Sequence, residues 1–204
     1  YYLGRPSPEA PELTVNIDLT VNAKSHVGLV HDIQEDRFAI VDAGEGERFL
    51  IVCDGMGGMG KGDQASTLSI ESLTETLMGT LDDKKDEPLK MLRDAIQETD
   101  VKVRQVLCDS AEGMPGSTTV IVYVVHGLAY VAWVGDSRAY LVRDNKVVER
   151  TRDHKLIEDL IEAGQLTRQE AQSSALAHVV TRALGGRGVA EPPVRAATLH
   201  HPWA

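Results

Sequence analysis

Residues 117–150 read STTVIVYVVHGLAYVAWVGDSRAYLVRDNKVVER. Valine, isoleucine and tyrosine fill Ser117–Val125 and Leu128–Val134, and two shorter runs follow at Ala139–Val142 and Val147–Arg150. This composition favours strands, and His126-Gly127, Asp136-Ser137-Arg138 and Asp144-Asn145 supply the turns between them. Loops this short allow only antiparallel neighbours, because a parallel crossover needs a dozen or more residues. A block of antiparallel strands therefore anchors the chain.

Upstream, Leu13 to Val21 alternates apolar and polar residues, and further strands are expected at 24–31, 36–42 and 48–53. Between the last two lies Ala43-Gly44-Glu45-Gly46-Glu47, a hairpin composition. Two helical patterns come next. Residues 64–80 carry Leu68, Leu73 and Leu77, and residues 87–108 carry Leu89, Leu92, Ile96, Val103 and Leu107, with Pro88 suited to a first turn. Downstream of the β block, helical patterns return at 154–163 and 167–184. The expected class is α+β, with antiparallel sheets covered by helices. Residues 1–12, with three prolines, read as a leader or linker before one domain at 13–204.

Composition narrows the function classes. The 204 residues carry 31 Asp+Glu against 21 Lys+Arg, a formal charge of −10, which argues against a nucleic-acid binder and permits a gathered cation site. A chain of this length buries roughly 70% of its unfolded surface and needs no disulfide scaffold. Cys53 sits in the apolar run Phe49-Leu50-Ile51-Val52, where a buried free thiol is expected, and Cys108 ends a helix. No Cys spacing suggests zinc or a redox pair, so a reducing cytoplasm is the expected compartment. No stretch approaches ~18 apolar residues, so no membrane span is expected. The N-terminus has no basic segment followed by an apolar one, so no secretory signal is expected either.

The chemistry concentrates in Phe49-Leu50-Ile51-Val52-Cys53-Asp54-Gly55-Met56-Gly57-Gly58-Met59-Gly60-Lys61-Gly62: a buried strand, a carboxylate, then a glycine-rich loop before a helix. Gly55 to Lys61 matches G-x-x-x-x-G-K, but a phosphate-binding loop needs Ser or Thr next, where Gly62 stands, and the surrounding sheet is antiparallel. Cation binding is the other chemistry, with Asp54 at a strand end and the Gly55 carbonyl as a second hard oxygen. An Asp that merely caps the following helix, with glycines for turns, is the bland alternative.

Other acids and motifs stand in a set order along the chain. Val27-Gly28 leads to Glu35-Asp36, Gly116-Ser117-Thr118 opens the β block, and Gly135-Asp136-Ser137-Arg138-Ala139-Tyr140-Leu141 ends a strand in an acid. Asp153-His154 and Thr181-Arg182-Ala183-Leu184-Gly185 complete the series. The chain thereby resembles the metal-dependent protein Ser/Thr phosphatases, the PPM or type 2C family, and most of all its short bacterial members. The resemblance implies a four-layer αββα sandwich, two antiparallel sheets flanked by helix pairs. It also implies hydrolysis of phosphoserine and phosphothreonine by metal-activated water at a dinuclear Mn²⁺ or Mg²⁺ site. On this mapping Asp54 bridges the two ions, Gly55 offers its carbonyl, Glu35 holds the site in part through water, and Asp36 supports it. Asp136 matches a ligand for a third, weaker metal. Phosphorylated proteins are the implied partners, with a cognate Ser/Thr kinase, and the chain is expected to act as a monomer.

The sequence departs from the family pattern in places. His31 stands where a phosphate-gripping Arg is usual, and an imidazole lacks the bidentate, permanently charged fork. Gln34 replaces an Asn, while Met56 and Met59 occupy positions where relatives carry histidines. The family also continues past Thr181–Gly185 into two strands bearing two further metal-ligand Asp residues, whereas the only acid here after residue 186 is Glu191. The expectation is therefore a C-terminally incomplete domain. A phosphatase-like regulatory or binding domain with little catalysis is the alternative function.

Overall fold

The computed structural model describes residues 18–29, 33–44, 46–57, 61–107, 115–186 and 192–198. Strands β1 (Asp36–Gly44) and β2 (Glu47–Met56) form the expected antiparallel hairpin. In β2, Phe49, Ile51 and Cys53 are buried while Val52 between them is exposed, the period of two that the sequence carries. Two long helices, α1 (Lys61–Lys84) and α2 (Pro88–Leu107), cover that buried face. Leu73, Leu77 and Leu81 of α1 meet Met91, Leu92, Ala95 and Ile96 of α2 in one core with the strand residues.

Small hydroxyl residues set how these helices meet. Ser69 returns its hydroxyl to the Ala65 carbonyl at 2.7 Å, and Thr99 donates to Ser72 across the contact at 3.2 Å. Their polar atoms are thus satisfied inside the core.

The β block divides as follows: β3 (Gly116–Ser117), β4 (Thr119–Val125), β5 (Leu128–Val134), β6 (Tyr140–Arg143) and β7 (Lys146–Arg150). The larger sheet has the order β1-β2-β4-β5-β8, with β3 on β2 and β8 spanning Val194–Thr198. Every pairing is antiparallel. β6 and β7 form a separate two-stranded sheet, closed by Asp144-Asn145 with φ of 48° and 58°. Positive φ at both turn residues matches the twist of a two-residue hairpin.

On the face of the larger sheet away from α1 and α2, a cavity of about 110 Å³ lies beneath β6 and β7. Val122, Val131, Trp133 and Leu141 are among its lining residues. Trp133 closes one end, donating its indole N–H to the Arg152 carbonyl at 2.7 Å. Helices α3 (Leu156–Glu162) and α4 (Arg168–Gln172) and a 3-10 turn at Ala175–His178 pack on one another beside the sheets. The class is α+β with two antiparallel sheets, as expected.

Three local expectations need correction. The strand expected at 24–31 is irregular over its described residues 24–29, with a turn at Gly28-Leu29. For the strand expected at 13–21, residues 18–21 are irregular and 13–17 lie outside the described residues. An alternating pattern makes a strand only where another edge pairs with it. The helix expected at 167–184 stops at Gln172, because Ser173 and Ser174 hydrogen-bond the local backbone instead of continuing it. Conversely, β8 pairs with β5 although Pro192-Pro193 before it and Ala196-Ala197 within it are weak strand formers.

Candidate metal centre

Asp54 lies near the end of β2, directly opposite Asp36 at the start of β1. The backbone around it is fixed from both sides. Gly55 N–H donates to the Glu35 carbonyl at 3.1 Å, and Thr118 N–H donates to the Asp54 carbonyl at 2.8 Å. Asp54 N–H in turn donates to the Thr118 hydroxyl at 3.2 Å, and the Ser117 hydroxyl reaches the Asp54 carbonyl at 3.1 Å. Thr118 also shares a 2.6 Å hydrogen bond with Ser137, next to Asp136. The Gly-Ser-Thr and Gly-Asp-Ser motifs therefore meet as a hydroxyl scaffold behind the acids.

Glycine is required at two positions here. A Cβ at Gly55 would stand 1.9 Å from the Gly62 carbonyl oxygen, inside backbone that cannot move aside cheaply. A Cβ at Gly62 would meet Glu35 Oε1 at 2.7 Å and the Gly55 carbonyl oxygen at 2.8 Å. Both oxygens thus stand within 3 Å of one point beside the first turn of α1.

The electrostatics agree with this convergence. Burial, then the charges of Asp36 and Asp136, a hydrogen bond with Asp36 and the charge of Glu35 push the Asp54 carboxyl up to about 6. Acids from two other stretches of the chain, Glu35-Asp36 and Asp136, therefore act on Asp54. Two cationic partners border them. Lys155 pairs with Asp136 at 2.9 Å, and Arg37 pairs with Asp63 while donating to the Gln34 and Asp36 carbonyls.

Of the residues the sequence singles out, Asp54, Gly55, Glu35, Asp36 and Asp136 come together. His31, Gly58 and Met59 lie outside the described residues. Among the described residues, no three His, Cys, Asp or Glu side chains converge into a ready-made metal cage. Like charges repel, and these acids stand as neighbours, not as a closed ligand shell. The donors nonetheless fit a hard divalent cation: carboxylates and a backbone carbonyl, in a cradle that a Cβ at Gly62 would fill.

Lys155 escapes the motif reading because its role depends on a fold in which residues 136 and 155 are adjacent. Arg138 and Asp153 could be suspected from their motifs. They form a two-pronged pair at 2.6 and 2.5 Å that ties the Gly-Asp-Ser-Arg turn to the Asp-His segment. Cys53 is a buried free thiol, as expected, and burial pushes it up to about 12, far from thiolate chemistry.

A family model described as Protein phosphatase 2C matches residues 28–194. The chain belongs to that family. The chain is 31% identical over 169 residues to the serine/threonine phosphatase stp of Listeria welshimeri, covering 80% of this chain and 66% of that protein. It is 29% identical over 147 residues to the protein phosphatase PhpP of Streptococcus pneumoniae, covering 72% of this chain and 60% of that one. The chain thus spans about three fifths of the pneumococcal relative's length.

Among solved structures, a bacterial serine phosphatase superposes with a TM-score of 0.76 at 27% identity, covering 85% of this chain and 71% of that one. The catalytic domain of PstP, in complex with two manganese ions, superposes with a TM-score of 0.64 at 28% identity, covering 85% and 69%.

Proposed function

We propose that this type 2C domain is a metal-dependent protein serine/threonine phosphatase. One observation carries the reading: Asp54, Asp36, Glu35 and Asp136 interact electrostatically around a backbone carbonyl and a glycine cradle. Asp54, the Gly55 carbonyl and Glu35 would hold two Mn²⁺ or Mg²⁺ ions, with Asp36 supporting them and Asp136 serving a third. When bound, such ions supply Lewis acidity toward a phosphoryl oxygen and lower the pKa of water.

The chain's own residues do the rest. The Ser117 and Thr118 hydrogen bonds fix the Asp54 backbone, which carries its carboxylate into the centre from a rigid main chain. Lys155 holds Asp136 in orientation. His31 would meet the substrate phosphate with one donor that is charged only at low pH, which makes phosphate binding pH-dependent. Substrates are phosphorylated proteins, made by a Ser/Thr kinase that this chain opposes as a monomer. The buried free Cys53 suits a reducing cytoplasm, and no helix among the described residues is long and apolar enough to cross a membrane.

The test is turnover of a phosphothreonine peptide with added Mn²⁺. Asp54→Asn is expected to lower kcat at least a hundredfold, on the order expected for loss of a charge that holds a catalytic ion. Unchanged turnover in Asp54→Asn would refute the assignment. A second reading, a phosphatase-like domain that binds phosphoproteins without hydrolysing them, draws support from the Asp136–Lys155 pair, in which a lysine already neutralises one acid. It predicts phosphopeptide binding by the unaltered chain with no phosphate release.

A further inference from the structure

Beside Asp153 and His154, α2, α3 and the start of β8 enclose an open cleft of about 590 Å³. Its charges do not cancel. Arg152 is committed to Glu162 at 2.6 Å and Asp159 at 3.4 Å, and Asp153 is committed to Arg138. These pairs account for the three carboxylates of the cleft. Arg93, Arg182 and Arg195 also line it, all three exposed, and none forms an ion pair among the described residues.

His154 adds no charge near neutral pH, because burial and then Arg182 push it down to about 4. Its ring lies parallel to that of Trp133, with centroids 6.2 Å apart, as part of the cleft wall. Three guanidiniums with no carboxylate partner among the described residues thus share one concave site on a chain of net charge −10. Guanidinium forks match carboxylates in two-pronged geometry and are weakly hydrated, which makes them suited to capturing acidic side chains.

We propose that this cleft binds an acidic peptide segment, the Asp- and Glu-rich stretch that flanks the phosphorylated residue of a protein substrate. The identification of the peptide as substrate rests on the phosphatase reading; the acidic-peptide site itself rests on the cleft. The two sites are adjoining. His154 accepts a hydrogen bond from Gly135 N–H at 3.0 Å, and its neighbour Lys155 pairs with Asp136 at 2.9 Å. A substrate with its phosphate at the Asp54 centre would reach the cleft a few residues along the chain, at ~3.3–3.6 Å per extended residue.

The probe is a fluorescein-labelled, unphosphorylated oligoglutamate peptide, titrated with the chain in low salt and EDTA and read by anisotropy. Saturable binding is expected, weakening at least tenfold in R93E/R195E and as the ionic strength rises. R93K/R195K should retain most of the affinity. K90E/K146E, with the same change in net charge at exposed positions outside the cleft, should bind as the unaltered chain does. If R93E/R195E fails to fold by circular dichroism, R93Q/R195Q replaces it.

No saturable binding would overturn the proposal. So would equal affinity in R93E/R195E, or an equal loss in K90E/K146E. Because EDTA removes the metal centre from the measurement, this outcome is independent of the phosphatase reading, which the turnover test of Asp54→Asn decides.

Discussion

Asp54 and Gly62 show how single atoms set the chemistry of the centre. The Asp54 carboxyl sits at about 6, against an ordinary 3.8, because burial and neighbouring acids oppose its ionisation. Below pH 3.8 it is protonated in both folded and unfolded chains and costs nothing. As the pH rises through about 6 the folded chain must ionise it against those neighbours, so stability falls. In EDTA, Asp54→Asn should therefore be more stable than the unaltered chain at pH 8, by on the order of 1 kcal/mol after allowance for solvent screening. The difference should close toward pH 4, as urea midpoints across that range would reveal. Gly62 offers a complementary probe. Alanine is favoured over glycine in a helix by ~1 kcal/mol, yet its Cβ would press on Glu35 Oε1 and the Gly55 carbonyl. Gly62→Ala is expected to lower the thermal midpoint, because the clash with the Gly55 backbone outweighs the helix gain, and to lose roughly tenfold in Mn²⁺ affinity by calorimetry. Retained affinity would remove Glu35 and the Gly55 carbonyl from the centre.

The elements divide into those whose patterns declare themselves and those that depend on partners. The β1–β2 and β4–β5 hairpins were legible because Phe49, Ile51 and Cys53, then Ile121 and Tyr123, alternate inward with short turns between. Helices α1 and α2 were legible from leucines at helical spacing. β8 was not, since its pairing with β5 is long-range and its own residues are small. The hairpin end of the larger sheet carries a buried network that no motif announces. Tyr123 donates to Glu47 Oε2 at 2.8 Å, Lys85 meets Glu47 Oε1 at 2.8 Å, and Glu47 itself is only 3% exposed. Burial and then the hydrogen bond to Glu47 push the Tyr123 hydroxyl up. Glu47→Ala would strand that buried hydroxyl and release Lys85 to solvent, and is expected to cost about 2 kcal/mol. Tyr123→Phe, which leaves the Glu47–Lys85 pair, should cost about 1 kcal/mol. Chemical denaturation of the two variants would check the order, and equal losses would contradict it.

In the molecule as a whole, the two β units and the helix pair serve to bring distant acids to one edge. Asp36 and Asp54 arrive on a hairpin, Asp136 from the end of β5, and the Gly-Ser-Thr segment ties them together from β3. The order of these motifs was readable along the chain, and the family resemblance implied that their acids share one centre; the β2–β4 register through which they meet was not readable, because it is a long-range pairing. Lys155 likewise enters only through the fold. The excess of acids behind the net charge of −10 thus includes a cluster in which burial and neighbouring carboxylates raise the proton affinity of Asp54. Such a cluster has a physical rationale as a cation site, where a bound ion would reverse the sign of that interaction. The decisive measurement is a calorimetric titration of the purified chain with Mn²⁺ at pH 7.5, beside Asp54→Asn. Saturable binding by the unaltered chain, weakened at least tenfold in Asp54→Asn, is the predicted result. Equal Mn²⁺ affinity in the two proteins, or none in either, would contradict it.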